Sequence, residues 1–362
     1  MKTTEPQAEI EQPLVSVLLP VYNGAAFIGD TIESALRQTY RNIEVIVVDD
    51  GSTDGTVAAI EARAAGDSRV RVIRQPNRGV AHARNRALAE ARGEFVAPID
   101  ADDLWSPVKI EQQVRRMAEA GSKAGLVYCW WVWIDGDGTV LDRSPRWCVE
   151  GDGFAMMLQV NYTGNASVPL YRRRALKQIC GYDEELGAHE AGGCEDWDVA
   201  LKVAELYSVA VVPEILVGYR RRRQSMSTAS DMMWRSQRLV IEGVLHRNPT
   251  LAPILFQRSA DQFALYLAGI SFWSGSYLRA LRWGLRARKS GLATKVVPYV
   301  LRLLLRCLRG RLRAGAVVMR PNECLDASRI PEPLIPYDRI YREFAPPAAR
   351  TEVTAVRKLD PT

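Results

Sequence analysis

Short apolar runs alternate with amphipathic stretches over the first hundred positions of the chain. Residues 14–20 (LVSVLLP) are almost continuously apolar and end at a turn through Tyr22, Asn23 and Gly24. Residues 25–38 then space Phe27, Ile28, Ile32, Ala35 and Leu36 at helical intervals, with Asp30 and Glu33 in the front half. That spacing predicts a helix burying one face. The alternation continues. Residues 43–48 (IEVIVV) predict a strand ending at Asp49 and Asp50, and the turn from Gly51 to Gly55 leads into another helix. A strand over 70–73, a helix over 80–92 closed by Gly93, and a strand over 94–99 follow. Apolar strands separated by helices predict an α/β fold, a Rossmann-like and mostly parallel sheet covered by helices. Sheets of this kind bind ligands at the carboxyl ends of their strands.

The second half follows a looser pattern. A helix is predicted from Ser106 to Gly121, then a strand over 125–134 (GLVYCWWVWI), whose three tryptophans read as sheet core. Residues 209–212 and 215–219 predict two late strands separated by Pro213 and Glu214. From about residue 230 the pattern turns helical, with 262–273 and 276–289 predicting a helical hairpin. The organisation expected is a polar tail over 1–13, an α/β unit over 14–225 with halves 14–104 and 105–225, a basic helical region over 230–320, and an extended proline-containing tail over 321–362.

Composition narrows the class. With 362 residues, 47% of them apolar and 25% charged, the chain has the make-up of a globular protein. Its six cysteines form no Cys-x-x-Cys pair, which argues against a zinc site or a disulfide framework. The start is polar and acidic, and no run of about 18 apolar residues occurs, so neither a signal peptide nor a spanning helix is expected and the cytoplasm is the expected compartment. The net charge of +6 hides an asymmetry: no acidic residue lies between Asp261 and Glu323, an interval with twelve positive charges. Within it, Arg302, Arg306, Arg309 and Arg313 share one helical face beside a leucine-rich one. Such a segment, 299–313, either lies on an anionic membrane surface or packs its leucines on the rest of the protein. No nucleic-acid partner is expected.

The densest chemistry sits at the end of the fourth predicted strand, where Asp100, Asp102 and Asp103 crowd into four positions. Converging carboxylates repel one another unless a cation compensates them. Mg²⁺ or Mn²⁺ held by one or two carboxylates and a substrate phosphate would do so. A helix start at Ser106 and Pro107 would account for one acid through the helix dipole, but not for three.

Five motifs together carry a resemblance. PVYN (20–23), VVDDGSTD (47–54), NRG with ARN (77–79 and 83–85), IDADD (99–103) and EDWD (195–198) follow one another as in family-2 glycosyltransferases of the GT-A fold. The chain resembles the non-processive bacterial members, because the region 218–227 lacks the Q-x-x-R-W motif of processive synthases. The resemblance implies a nucleotide-binding half over 14–104 and an acceptor-binding half over 105–225. It implies that Asp50 contacts the nucleobase, that Pro20 and Tyr22 line the base pocket, and that Arg84 approaches the diphosphate. Asp100 would contact ribose or metal-bound water, and Asp102, or its neighbour Asp103, would hold the metal. Asp196 is implied as the base for the acceptor hydroxyl, with Glu195 and Trp197 orienting base and acceptor. The implied reaction is inverting transfer of one sugar from a nucleoside-diphosphate donor, UDP by first choice, to a glycan or lipid-linked acceptor. Two other classes remain open: a sugar-nucleotidyl transferase, which would need a glycine-rich basic loop near residue 20, and a non-catalytic glycan- or nucleic-acid-binding protein that retains the fold.

Overall fold

The structure, a computed structural model, describes residues 12–188, 192–222 and 230–287. Strand β1 (Val15–Val21) is buried along its whole length, as its continuous apolar run requires. It runs parallel to β2 (Ile43–Asp49) and β4 (Phe95–Pro98), and β2 runs parallel to β3 (Val70–Arg74). Helices α1 (Ile28–Leu36), α2 (Thr56–Ala64) and α3 (Val80–Glu90) make the crossovers. The register pairs Val21 with Asp49 and Leu18 with Pro98, so the turns after β1, β2 and β4 open on one sheet edge.

Beyond β4 the sheet becomes mixed. Short β5 (Leu104–Trp105), long β6 (Ala124–Ile134), β7 (Val140–Arg143), β8 (Leu170–Arg172) and β9 (Ser208–Arg220) extend it in the order β3-β2-β1-β4-β8-β6-β9-β5, with β7 paired to β6. β8 is antiparallel to both β4 and β6, whereas β6 and β9 are parallel. The two late strands expected over 209–219 are in fact one. The pairing Cys129–Val212 is followed by Trp130–Ile215, so Pro213 and Glu214 bulge out of the ladder without ending it. Proline lacks the N–H that a regular ladder position needs, and a bulge accommodates it.

The remaining helices are α4 (Lys109–Glu119), α5 (Phe154–Gln159), α6 (Arg173–Gln178), α7 (Glu185–Ala188), α8 (Glu195–Leu206), α9 (Ser230–Arg247), α10 (Pro253–Trp273) and α11 (Tyr277–Arg286). The hairpin expected from residue 262 is thus longer, because α10 begins at Pro253, a residue suited to a first helical turn. Leu251, Leu255, Phe256 and Phe263 pack on the core that the sheet builds. No helix among the described residues is long and apolar enough to cross a membrane. The expected boundary after 225, the segment 299–313, the tail over 321–362 and most of the 1–13 tail lie outside the described residues.

A polar group in the core has a measurable consequence. Lys109 is fully buried on α4, with Nζ donating to Gln113 Oε1 at 2.8 Å and lying 4.1 Å from the centre of the Trp105 ring. Burial, with no carboxylate paired to it, brings its ammonium down to a pKa of about 7. The unfolded chain therefore holds a proton there that the folded chain sheds between pH 7 and about 10.5, and stability rises with pH across that window. The melting temperature of the native chain should climb from pH 7 to pH 9 relative to that of Lys109→Met. Parallel melting curves for the two proteins would show that Lys109 keeps an ordinary pKa.

Candidate active site

Two loops clasp each other at the ends of β1 and β2. Asn23 donates its backbone N–H to Ser52 Oγ (2.9 Å), and its side-chain oxygen accepts from Thr53 N (2.8 Å). The adjacent aspartates divide their duties. Asp49 accepts from Ser52 N (3.1 Å) within its own turn. Asp50 is buried and fastens the loop after β3: Oδ1 accepts from Gln75 Nε2 (2.7 Å) and Arg78 N (3.0 Å), and Oδ2 from Gly79 N (2.8 Å). Gly51, at φ +79°, makes this approach possible, since a Cβ there would stand 2.9 Å from Asn77 N. Pro20 is buried in β1, while Tyr22 stands half exposed at the rim.

The acidic run meets three different environments. Asp100 receives Arg84 Nη2 on Oδ1 at 2.5 Å, and its backbone N–H donates to Ser167 Oγ at 2.9 Å. Asp102, its side chain 15% exposed, pairs with Arg222 Nε at 2.5 Å, and burial together with Asp100 outweighs Arg222 to raise its pKa. Asp103 is wholly buried: Oδ2 accepts from Ser167 Oγ, and Oδ1 from the backbone N–H of Arg220 at 2.9 Å. Burial, then Asp102 and Asp100, pushes its carboxyl well above the carboxylate range. Asp103, expected as an alternative metal ligand, thus has both oxygens engaged and ties the turn after β4 to β9, whereas Asp102 keeps a partly exposed side chain. Among the described residues no group of three or more His, Cys, Asp or Glu forms a closed metal cage. The donor set present, hard carboxylate oxygens, fits a cation completed by substrate phosphate.

Arg84 also differs from expectation. It is 2% exposed and bridges two acids from distant parts of the chain, Asp100 through Nη2 and Glu195 through Nη1 at 2.8 Å, with the Tyr182 ring 5.3 Å from its guanidinium carbon. Burial opposes its charge, but Asp100 and Glu195 hold the guanidinium firmly protonated. An arginine with both ends engaged internally is a strut, not a free diphosphate clamp. Its partner Glu195 also accepts from Gly193 N (3.0 Å), so it braces the entry to α8. Helix α8 starts at Glu195, four residues before the expected Val199, and gathers Glu195, Asp196 and Asp198 in its first turn, where the helix dipole favours them.

Asp196 is the acid of that turn left facing open space. Its Oδ1 accepts only the adjoining Trp197 N–H (2.7 Å) among the hydrogen bonds described, and burial, then Glu195 and Asp100, raises its pKa to about 7. In front of it lies a cleft of about 190 Å³. Asp100 and Asp196, the sheet residues Trp131 and Trp133, Trp147, and Phe263, Tyr266 and Ile270 of α10 line it. Trp131 and Trp133, expected as sheet core in preference to a sugar-stacking platform, are both buried and cleft-lining. Trp197 donates its indole N–H to Met157 O (2.9 Å) and stacks on Phe263 at 5.9 Å, which fixes α10 over α8. Sequence reading missed Ser167, Arg220 and the α10 residues. The run Arg220-Arg221-Arg222 directly after a strand was the visible signal for the second of these.

Comparison with known proteins places this geometry in context. Residues 16–179 match the family described as Glycosyl transferase family 2. TuaG of Bacillus subtilis, whose name assigns it to teichuronic acid biosynthesis as a glycosyltransferase, is 35% identical over 45% of this chain and 69% of its own length. The crystal structure of Staphylococcus aureus TarS 1–349 in complex with UDP-GlcNAc superposes with a TM-score of 0.56 at 18% identity, over 85% of this chain and 99% of that one. The mannosyltransferase PcManGT from Pyrobaculum calidifontis, in complex with GDP-Man and Mn²⁺, gives 0.54 at 23% identity, over 84% of each chain. These two likenesses establish the GT-A fold.

Because Arg84 neutralises two acids, its removal should be costly. Arg84→Met leaves Glu195 buried without its cation, and the loss in unfolding free energy should be about 3–5 kcal/mol, read from the denaturant midpoint. Adding Glu195→Gln to that variant should recover part of the loss. No change in the midpoint would mean that the strut carries no stability.

Proposed function

The chain belongs to glycosyltransferase family 2, and from that premise we propose that it transfers a single sugar from a nucleoside-diphosphate donor, UDP by first choice, to a hydroxyl of a glycan or lipid-linked acceptor in cell-surface polysaccharide synthesis. The observation that carries this reading is Asp196: a carboxylate with a pKa of about 7, at the foot of an aromatic-walled cleft and beside the strand end that bears Asp100 and Asp102. The donor belongs on the sheet edge. Pro20, Tyr22 and Asp50 would line the base pocket, Asp50 using the lone pair of Oδ2 that its loop contact leaves over. TarS in complex with UDP-GlcNAc and TuaG in teichuronic acid biosynthesis support a nucleotide-sugar donor and a polysaccharide product.

Asp102, with Asp100 beside it, would hold Mg²⁺ or Mn²⁺, and PcManGT in complex with Mn²⁺ supports that assignment. The cation supplies Lewis acidity that offsets charge on the departing diphosphate. For binding at Asp102 the guanidinium of Arg222, 40% exposed, must give way. The acceptor belongs in the cleft, between the tryptophans and α10. Asp196 takes the proton of the acceptor hydroxyl as its oxygen attacks the anomeric carbon from the face opposite the diphosphate. One displacement forms the new C–O bond and breaks the old one, so the anomeric configuration inverts. Glu195 and Trp197 act by position: one braces the start of α8 through Arg84 and the other holds α8 against α10.

The test is nucleoside-diphosphate release and product analysis over a panel of donors, with and without Mn²⁺. Transfer should require the metal and invert the anomeric centre; a retained configuration would sink the single displacement. Asp196→Asn should keep donor binding and lower turnover by about 10²–10⁴-fold, the usual cost of a lost general base. Asp102→Asn should abolish the metal-dependent part of donor binding, measured by calorimetry with and without Mn²⁺.

The pH profile has a definite sign. A base with a pKa of about 7 is protonated and idle in acid, so kcat/KM should rise with pH through about 7 and then level off. An acid limb near pH 4 would place the proton acceptor elsewhere, with Asp198 or Glu195 next to be replaced.

A further inference from the structure

Helix α11 (Tyr277–Arg286) is inverted with respect to an ordinary surface helix. Its inner face is Ala280, Trp283 and Gly284, and the Trp283 indole N–H donates to Ser230 Oγ at 3.1 Å. Its outer face carries Leu278, Leu281 and Leu285, at spacings of three and four, which align on one stripe. Leu278 is 86% exposed, and Leu281 and Leu285 are 41% exposed each. Along one flank of the stripe stand Arg279, Arg282 and Arg286. Arg286 lies 4.8 Å from the centre of the Trp234 ring, and Arg282 has one weak acid contact, Asp231 Oδ1 at 4.0 Å. A soluble helix turns its leucines inward. A contiguous outward leucine stripe marks an interaction surface.

Charge selects the occupant. A second copy related by a two-fold axis would set α11 against itself and bring the three arginines toward their own counterparts. The chain's own continuation offers the arginines of α11 no counter-charge, because after α11 it carries Arg288, Lys289, Lys295 and further arginines with no acid before Glu323. What is required is a surface apolar at its boundary and negative beside it. We propose that α11 docks on an anionic lipid bilayer, its leucines at the headgroup–acyl boundary and its arginines among the lipid phosphates. The inference goes beyond the transfer reaction and holds or fails without it. Since α11 packs on α10, and α10 lines the cleft, docking would hold the cleft at the membrane surface.

Vesicle sedimentation of the full chain tests this, using phosphatidylcholine alone and phosphatidylcholine with phosphatidylglycerol. The native chain should pellet with the anionic vesicles and stay in solution with the neutral ones. Leu278→Glu/Leu281→Glu/Leu285→Glu should bind anionic vesicles at least tenfold more weakly while melting at the native temperature, since these side chains face outward. Arg279→Gln/Arg282→Gln should weaken binding and flatten its dependence on salt. Native-like binding by the leucine variant, or no binding by the native chain, overturns the proposal. A dimer on size exclusion that the leucine changes dissolve, without vesicle binding, would assign the face to a second copy instead.

Discussion

The buried guanidinium of Arg84 is the constraint on which the rest of the site depends. A cation with almost no contact with water is tolerated only where carboxylates meet it, and here Asp100 at the end of β4 and Glu195 at the start of α8 both do. That bridge joins the first half of the sheet to a helix more than ninety residues further on. It also has an electrostatic effect on the third acid. Burial first, and then the neighbouring Glu195, raise the pKa of Asp196 to about 7, with Arg84 acting in the opposite sense.

The same logic divides the acidic run. Three carboxylates within four residues cannot share one environment without severe repulsion, and the fold separates them. Asp103 goes inward, where Ser167 and the Arg220 backbone receive it and burial favours its neutral form. Asp100 is claimed by Arg84. Asp102 pairs with Arg222, an arginine that water also reaches. Arg220 completes this arrangement by donating to the carbonyls of Asp102, Asp135 and Gly136, so the end of β9 and the acidic turn hold each other in place. One strand end thus supplies a strut anchor, a core tie and a carboxylate paired with a partly exposed arginine.

The C-terminal helices give the cleft its second wall. The Trp197–Phe263 stack ties α10 to α8, the helix that carries Asp196, while α10 also packs on α5, α9 and α11. Aromatic groups opposite a carboxylate keep that carboxylate poorly solvated while leaving space for a ring-shaped ligand. The helix that follows, α11, turns Ala280, Trp283 and Gly284 inward and leaves Leu278, Leu281 and Leu285 partly exposed.

Much of the fold was legible in the chain itself. The nearly continuous apolar runs at 14–20 and 43–48 specified buried parallel strands, because a strand covered on both faces is apolar at most positions, and their two polar residues, Ser16 and Glu44, bond to each other across the ladder. The strand-end motifs identified the family, and Asp50 and Asp102 fall on the loops after β2 and β4, while Asp196 lies in the first turn of α8. Periodicity reports only whether a position is buried, however, and not which atom it meets once there. It therefore did not distinguish Asp102 from Asp103, whose different fates rest on Ser167 and Arg220, sixty-four and one hundred and seventeen residues away from Asp103. It did not turn Arg84 inward, since Glu195 lies one hundred and eleven residues on. Nor did it join the two halves of β9, because proline reads locally as a break and only the neighbouring strand β6 carries the ladder across it. Local sequence determined which segments are strands, helices and turns, since those follow from hydrogen bonds and burial within a few residues. Tertiary structure alone decided which charges are compensated, because a buried charge is settled by whichever partner the packed chain brings to it.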